Sequence, residues 1–199
     1  MSGEKNNRNF EAVVVGVSAG AFHALLSVFS DLPRDFYLPI VVVVHLGPYS
    51  KQEWIGLVAE KIKMRIKEAD EKEPVLPSCI YIAPPNYHLM IDEDKTLCLS
   101  VDEKVNFARP SIDVLFESAA YVYHEKLIGI ILTGANNDGT KGMIQIKENG
   151  GLTIVQDKNE AEFTEMPTAV IAAIKVDHIL PLKEIGILLN KIHNENNSQ

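Results

Sequence analysis

The sequence predicts an α/β fold: an open, mainly parallel sheet with helices on both faces, a Rossmann-like three-layer αβα arrangement, plus a β-hairpin. Two observations carry this expectation. Short, β-branched apolar runs such as Val13-Val14-Val15 and Ile40-Val41-Val42-Val43-Val44 read as strands buried on both sides. They alternate with segments whose apolar residues recur at helical spacing, and repeated β-α units wind right-handed into a parallel sheet.

Val13–Gly16 is the first predicted strand, and Ala19–Phe29 follows as a helix with Phe22, Leu25, Leu26 and Phe29 on one side. Leu38–Val44 is the second strand and Trp54–Ile62 the second helix, with Ile55, Val58, Ala59 and Ile62 inward. Beyond a charged segment, Ile80–Ala83 is strand-like and closes at Pro84-Pro85-Asn86. His88–Ile91 and Leu97–Val101 flank Asp92-Glu93-Asp94-Lys95, which reads as a hairpin. Arg109-Pro110-Ser111 opens a helix with Ile112, Leu115, Phe116 and Ala119 inward. Pro110 suits a first helical turn, or Ser111 an N-cap. Leu127–Leu132 is a central strand, Gly142–Glu148 a helix ended by Gly150-Gly151, and Leu152–Val155 another strand. A helix near Ala169–Ile174, a strand at Ile179-Leu180 and a helix at Glu184–Ile192 complete the pattern. The expected organisation is one folded domain over residues 10–193 between disordered segments at 1–9 and 194–199.

At 199 residues and 46% hydrophobic content, one domain with a full core is expected. Nineteen Lys and Arg against 27 Asp and Glu leave a net charge of −8, and no long basic run breaks that balance. Nucleic-acid binding is disfavoured, because phosphate contacts need a Lys/Arg surface. The start, Met1-Ser2-Gly3-Glu4-Lys5, has no apolar core of a signal-peptide kind. Apolar stretches are strand-sized, short of the roughly 20 residues that a membrane helix needs. A cytoplasmic protein without membrane insertion is expected. Cys79 and Cys98 lie in predicted strands without partners at metal-ligand spacing, so they read as buried free thiols, with no metal or cofactor.

Chemistry concentrates at strand ends. Ser18 lies in Gly16-Val17-Ser18-Ala19-Gly20, His45 ends the second strand, and Asp138 lies in Thr133-Gly134-Ala135-Asn136-Asn137-Asp138-Gly139. If their strands are parallel neighbours, all three side chains share one rim of the sheet, which is the geometry of a serine-hydrolase triad. Ser18 would be the nucleophile and His45 the base; Asp138 would orient the imidazole. Unpaired amides at the next helix start would hold an oxyanion. Plainer roles compete: Ser18 as an N-cap, His45 as a packed residue, Asp138 in an Asn-Asp-Gly turn. A dinucleotide turn is the weaker reading, because Ser18 replaces the middle glycine and His45 stands where an acidic ribose ligand is expected. The order Ser, His, Asp also differs from the Ser, Asp, His order of α/β-hydrolases.

These motifs resemble the catalytic domain of the chemotaxis methylesterase family CheB. The likeness runs from about Phe10 to Ile185 through Gly16–Gly20, His45, Tyr81-Ile82-Ala83-Pro84-Pro85-Asn86-Tyr87-His88 and Arg109-Pro110-Ser111-Ile112-Asp113. Further matches are Leu132-Thr133-Gly134, Asn137-Asp138-Gly139 and Phe163 through Met166-Pro167. The resemblance implies a Ser-His-Asp triad on Ser18, His45 and Asp138, with oxyanion support from amides at Ala19 and near Ala135. It implies hydrolysis of glutamate γ-methyl esters on cytoplasmic helices of chemoreceptors, releasing methanol, and in some members deamidation of receptor glutamine. The chain departs from the family pattern at Ala21, at Ala135 and Asn136 (where the family has Met-Gly), and at Glu165 (where it has glycine before Met-Pro). Typical members also carry a receiver domain before the catalytic one, and nothing before Phe10 reads as such: either the chain is an excised catalytic domain, or it stands alone and is controlled otherwise, with a separate receiver or signalling protein as one expected partner. The alternative is a non-catalytic module of the same fold that docks on receptors or a signalling partner. His88 and Arg109 lie in family-like motifs but read equally well as structural.

Overall fold

The computed structural model describes residues 9–45 and 51–196, with the side chains of the second span from 54 onward. Among the described residues the strands are β1 (Ala12–Val17), β2 (Ile40–Val44), β3 (Arg65–Glu68), β4 (Cys79–Ile82), β5 (His88–Ile91), β6 (Leu97–Ser100), β7 (Leu127–Ile131), β8 (Leu152–Gln156) and β9 (His178–Leu180). The helices are α1 (Ala21–Phe29), α2 (Lys51–Ala59), α3 (Ile112–Tyr123), α4 (Thr140–Glu148), α5 (Glu165–Ala173) and α6 (Leu182–Asn196). Seven strands form one sheet in the order β3-β4-β2-β1-β7-β8-β9, and every pairing in it is parallel. The predicted hairpin is present as the antiparallel pair β5-β6, a separate small sheet.

Strand periodicity sorts the side chains into two cores. Val13, Val15, Val17, Val42, Val44 and Ile130 pack with α1, α2 and α6 on one face. Val14, Val41, Val43, Tyr81 and Ile131 face α3, α4, α5 and the hairpin on the other. The chain leaves β1 toward one face and β7 toward the other. The crevice between the carboxyl ends of β1 and β7 is therefore the switch point at which open α/β sheets place their ligands.

Gly16 sets how closely α3 can approach this point. A Cβ there would lie 2.4 Å from Ile112 Cγ2, so only glycine lets the first residue of α3 rest on the end of β1. That contact brings the N-terminus of α3 to the rim of the sheet.

The elements differ from expectation mainly at their ends. β3, Arg65-Ile66-Lys67-Glu68, lies in the stretch read as a charged connection; it is an edge strand paired only with β4, where charge guards against stray pairing. α1 begins at Ala21, because Ser18–Gly20 form a turn with Gly20 at φ 83°. α5 begins at Glu165, before the expected start, and takes in Met166-Pro167; proline is tolerated in a first turn, where its missing N–H has no intrahelical partner. α6 continues past Ile192 to Asn196, so residues 194–196, expected to be disordered, are helical. The expected disordered segments 1–8 and 197–199 lie outside the described residues. Cys79 is buried and Cys98 half-buried, both as free thiols.

Candidate active site

Register alone brings Ser18 and His45 together. Val17 pairs with Val44, so the next residue on each strand leaves the sheet beside the other. The ladder runs one step further on both sides of β1: His45 N donates to Val17 O (3.1 Å), and Ser18 N donates to Thr133 O (3.0 Å). Ser18 does not cap α1. That position belongs to Gly20, which has no side-chain cap bond. Among the described residues the Ser18 hydroxyl and the Ala19 and Ala135 amides make no hydrogen bond.

Asp138 reaches the same point from the loop after β7. Its Oδ2 lies 3.0 Å from His45 Nε2 and accepts 2.7 Å from the Ile112 amide. The approach of the imidazole is bent: Nε2 is at hydrogen-bond distance, yet its N–H does not point at the oxygen. Oδ1 accepts from Ser111 Oγ (2.9 Å), Asn106 Nδ2 (2.9 Å) and the amides of Asp113 and Gly139 (both 3.1 Å). Ser111 is the N-cap residue of α3, and Ile112 and Asp113 are its first turn. The carboxylate thus sits where orphan amides and the helix dipole both favour negative charge. Burial would push this carboxyl up; the close His45 ring and the bonds from Asn106, Ile112 and Asp113 outweigh it and hold it at about 2.

A second carboxylate stands behind the first. Asp113, also buried, accepts from the Gly142 amide (2.9 Å) and from Asn106 Nδ2 (2.8 Å), so one carboxamide bridges Asp113 and Asp138. Burial, and then the charge of Asp138, raises the Asp113 carboxyl.

Thr133-Gly134 ties the Ser18 turn to the loop before α5. Thr133 N donates to Gln156 Oε1 (2.8 Å), its hydroxyl lies 3.0 Å from Ala19 O, and Phe163 N donates to that hydroxyl (2.9 Å). Gly134 lies directly against the Ser18 turn. A Cβ there would be 2.0 Å from Met166 Sδ and 2.9 Å from Ser18 Cβ. An open pocket adjoins His45, lined by Val44, Ile82, Ala83, Arg109 and Phe107, with Phe107 98% exposed at its rim.

Three residues hold the site that motif reading did not single out for it. Ser111, read only as a cap, gives its hydroxyl to Asp138 instead, which makes no side-chain cap bond necessary. Asn106 carried no signal, because a lone asparagine in a polar loop is ordinary turn chemistry. Asn136 was visible as a departure but without a role; its Nδ2 lies 3.2 Å from His45 Nδ1. His88 and Arg109 are braces. His88 Nδ1 accepts from the Ser111 amide (3.2 Å) while Nε2 contacts Glu103 O (3.0 Å), and Arg109 Nη1 donates to the carbonyls of Val101 and Asp102. No group of His, Cys, Asp and Glu among the described residues could hold a metal ion, and no described helix is long and apolar enough to cross a membrane.

Comparison with known proteins places this geometry among relatives. Residues 13–189 match the family model described as CheB methylesterase. The chain is 35% identical to the protein-glutamate methylesterase/protein-glutamine glutaminase of Thermotoga maritima, over 87% of this chain and 51% of that protein. A Leptospira interrogans protein that carries the same name provisionally is 50% identical, over 96% of this chain and 99% of its own length. The crystal structure of the Thermotoga maritima CheB methylesterase catalytic domain superposes with a TM-score of 0.88 at 34% identity, covering 92% of this chain and 98% of that one.

Proposed function

The chain belongs to the CheB methylesterase family, and on that premise we propose that it is a cytoplasmic esterase that hydrolyses glutamate γ-methyl esters on the cytoplasmic helices of chemoreceptors, with Ser18, His45 and Asp138 as its triad and residues 10–193 as its catalytic unit. The observation that carries this reading is that His45 leaves the sheet beside Ser18 with its Nε2 3.0 Å from a buried carboxylate that stays charged.

Because Nε2 faces Asp138, the nitrogen left for Ser18 is Nδ1. Ser18 Oγ attacks the ester carbonyl carbon as its proton passes to Nδ1, and the imidazolium is stabilised by Asp138 through Nε2–H. The carbonyl oxygen gains the negative charge beside the free amides of Ala19 and Ala135. Collapse breaks the bond to the methoxy group, which leaves as methanol with the proton from Nδ1. Water then repeats the sequence on the acyl-enzyme, and glutamate and free Ser18 are the products. A glutamine amide would follow the same course, with ammonia leaving in place of methanol.

The test is methanol release from methylated receptor fragments. Wild-type protein should release methanol, and Ser18→Ala should lower the rate by about 10⁴-fold or more. Equal release by both would remove Ser18 as the nucleophile. No release by folded wild-type protein would favour the docking-module reading.

A further inference from the structure

We propose that Asn136 is a positioning residue that, in the resting site, holds the lone pair of His45 that must take the Ser18 proton. This inference rests on the triad reading above and adds a residue to it.

The orientation of the Asn136 carboxamide follows from its neighbours. Its Oδ1 accepts from the Asp138 amide at 3.0 Å, and an N–H can pair only with the oxygen end. Nδ2 therefore faces His45, 3.2 Å from Nδ1, and donates to it. An Nδ1 that accepts carries no proton, so the imidazole proton sits on Nε2, the nitrogen 3.0 Å from Asp138 Oδ2. Asp138 by itself aligns this proton poorly, because its oxygen lies off the N–H direction. A second constraint on the ring comes from Asn136, 3.2 Å from Nδ1.

A neutral imidazole nitrogen has one lone pair. While Asn136 occupies it, Ser18 cannot donate to Nδ1, and the Ser18 hydroxyl makes no hydrogen bond among the described residues. Acylation must begin with the exchange of one donor for the other at Nδ1. The Asn136 amide thus keeps the base in its productive tautomer and slows the first proton transfer until that exchange.

The tautomer argument gives opposite signs for two substitutions at this position. Asn136→Gly removes the competing donor; a neutral hydrogen bond of this kind is worth about 1 kcal/mol net, which is roughly 5-fold in rate. Asp138 would stay in place through Ser111, Ile112, Asp113, Asn106 and Gly139. Asn136→Asp keeps the acceptor for the Asp138 amide but sets a carboxylate oxygen against Nδ1, which holds a proton there and removes the base.

The readout is the rate at which a small fluorophosphonate labels Ser18, a probe that needs no receptor. Asn136→Gly should label several-fold faster than wild type and Asn136→Asp at least 10-fold slower. The ¹⁵N spectrum of His45 should show the proton on Nε2 alone in wild type and protons on both nitrogens in Asn136→Asp, where a carboxylate faces each of them. Any other pattern of labelling, including two slow variants as a merely structural role would give, overturns the proposal. Labelling of Ser18→Ala at the wild-type rate would instead overturn the nucleophile assignment on which it rests.

Discussion

Asp138 and Asp113 share one bridging carboxamide, and their surroundings push them in opposite directions. Burial opposes the charge on both. At Asp138 the close His45 ring and the bonds from Asn106 and the α3 amides win and hold the carboxyl at about 2, below the roughly 3.9 of an unfolded chain. A depressed carboxyl contributes stability that is present above about pH 4 and is lost as the pH falls toward 2. At Asp113 burial wins, aided by the Asp138 charge. A raised carboxyl contributes stability that is full below about pH 4 and is lost as the pH rises through its folded value. Urea midpoints measured from pH 2 to 6 should therefore fall less steeply on the acid side in Asp138→Asn than in wild type. Asp113→Asn should gain on wild type as the pH rises above about 4. An unchanged acid slope in Asp138→Asn would mean that this carboxylate is not the group that the fold keeps charged.

At the scale of elements, the site depends on the seat of α3 against β1. The contact of Ile112 with Gly16 places the amides of Ile112 and Asp113 on Asp138, so packing and site geometry are one feature. Gly16→Ala puts a methyl 2.4 Å from Ile112 Cγ2 and forces the helix outward. Overpacking of this kind costs about 1–3 kcal/mol, or roughly 2–12 °C in Tm for a chain of this size. Calorimetry should show that loss, and methanol release should fall with it even at temperatures where the variant is folded. A Tm loss with full kcat would separate the seat of α3 from the catalytic geometry.

Across the whole molecule the two cores have different jobs. The core under α1, α2 and α6 fills the sheet from one side, and the one under α3, α4 and α5 also carries the cradle of Asp138. Leu189, on α6, is fully buried in the first and Phe116, on α3, in the second. Truncation of either to Ala leaves a cavity and should cost about 2–5 kcal/mol. Leu189→Ala should keep the wild-type kcat when assayed well below its Tm, whereas Phe116→Ala should lower kcat as well, because Phe116 lies against Gly142, whose amide donates to Asp113. Equal kcat in the two variants would show that α3 stays in place without that contact.

Much of this was readable from the chain. Buried parallel strands are written as unbroken β-branched runs, so β1, β2 and β7 and the alternation around them are determined locally. Ser18 and His45 are visible for the same reason, since a polar residue that closes an apolar run stands out, and Asp138 is visible in the polar loop that follows the third run. β3 was not legible, because an edge strand needs no apolar run and Arg65-Ile66-Lys67-Glu68 looks like any charged connection. Asn106, Ser111 and Asn136 were not legible as site residues either. Each is an ordinary turn or cap residue by type, and its partner lies far along the chain: Asn106 and Ser111 on Asp138, Asn136 on His45. By itself the sequence determined the buried strands, their order of chemistry and the polar groups that follow them. Tertiary structure alone decided which nitrogen of His45 faces Asp138 and which donors hold that carboxylate, because hydrogen bonds between distant segments depend on the seat of α3 and the loop after β7, and no local pattern records them.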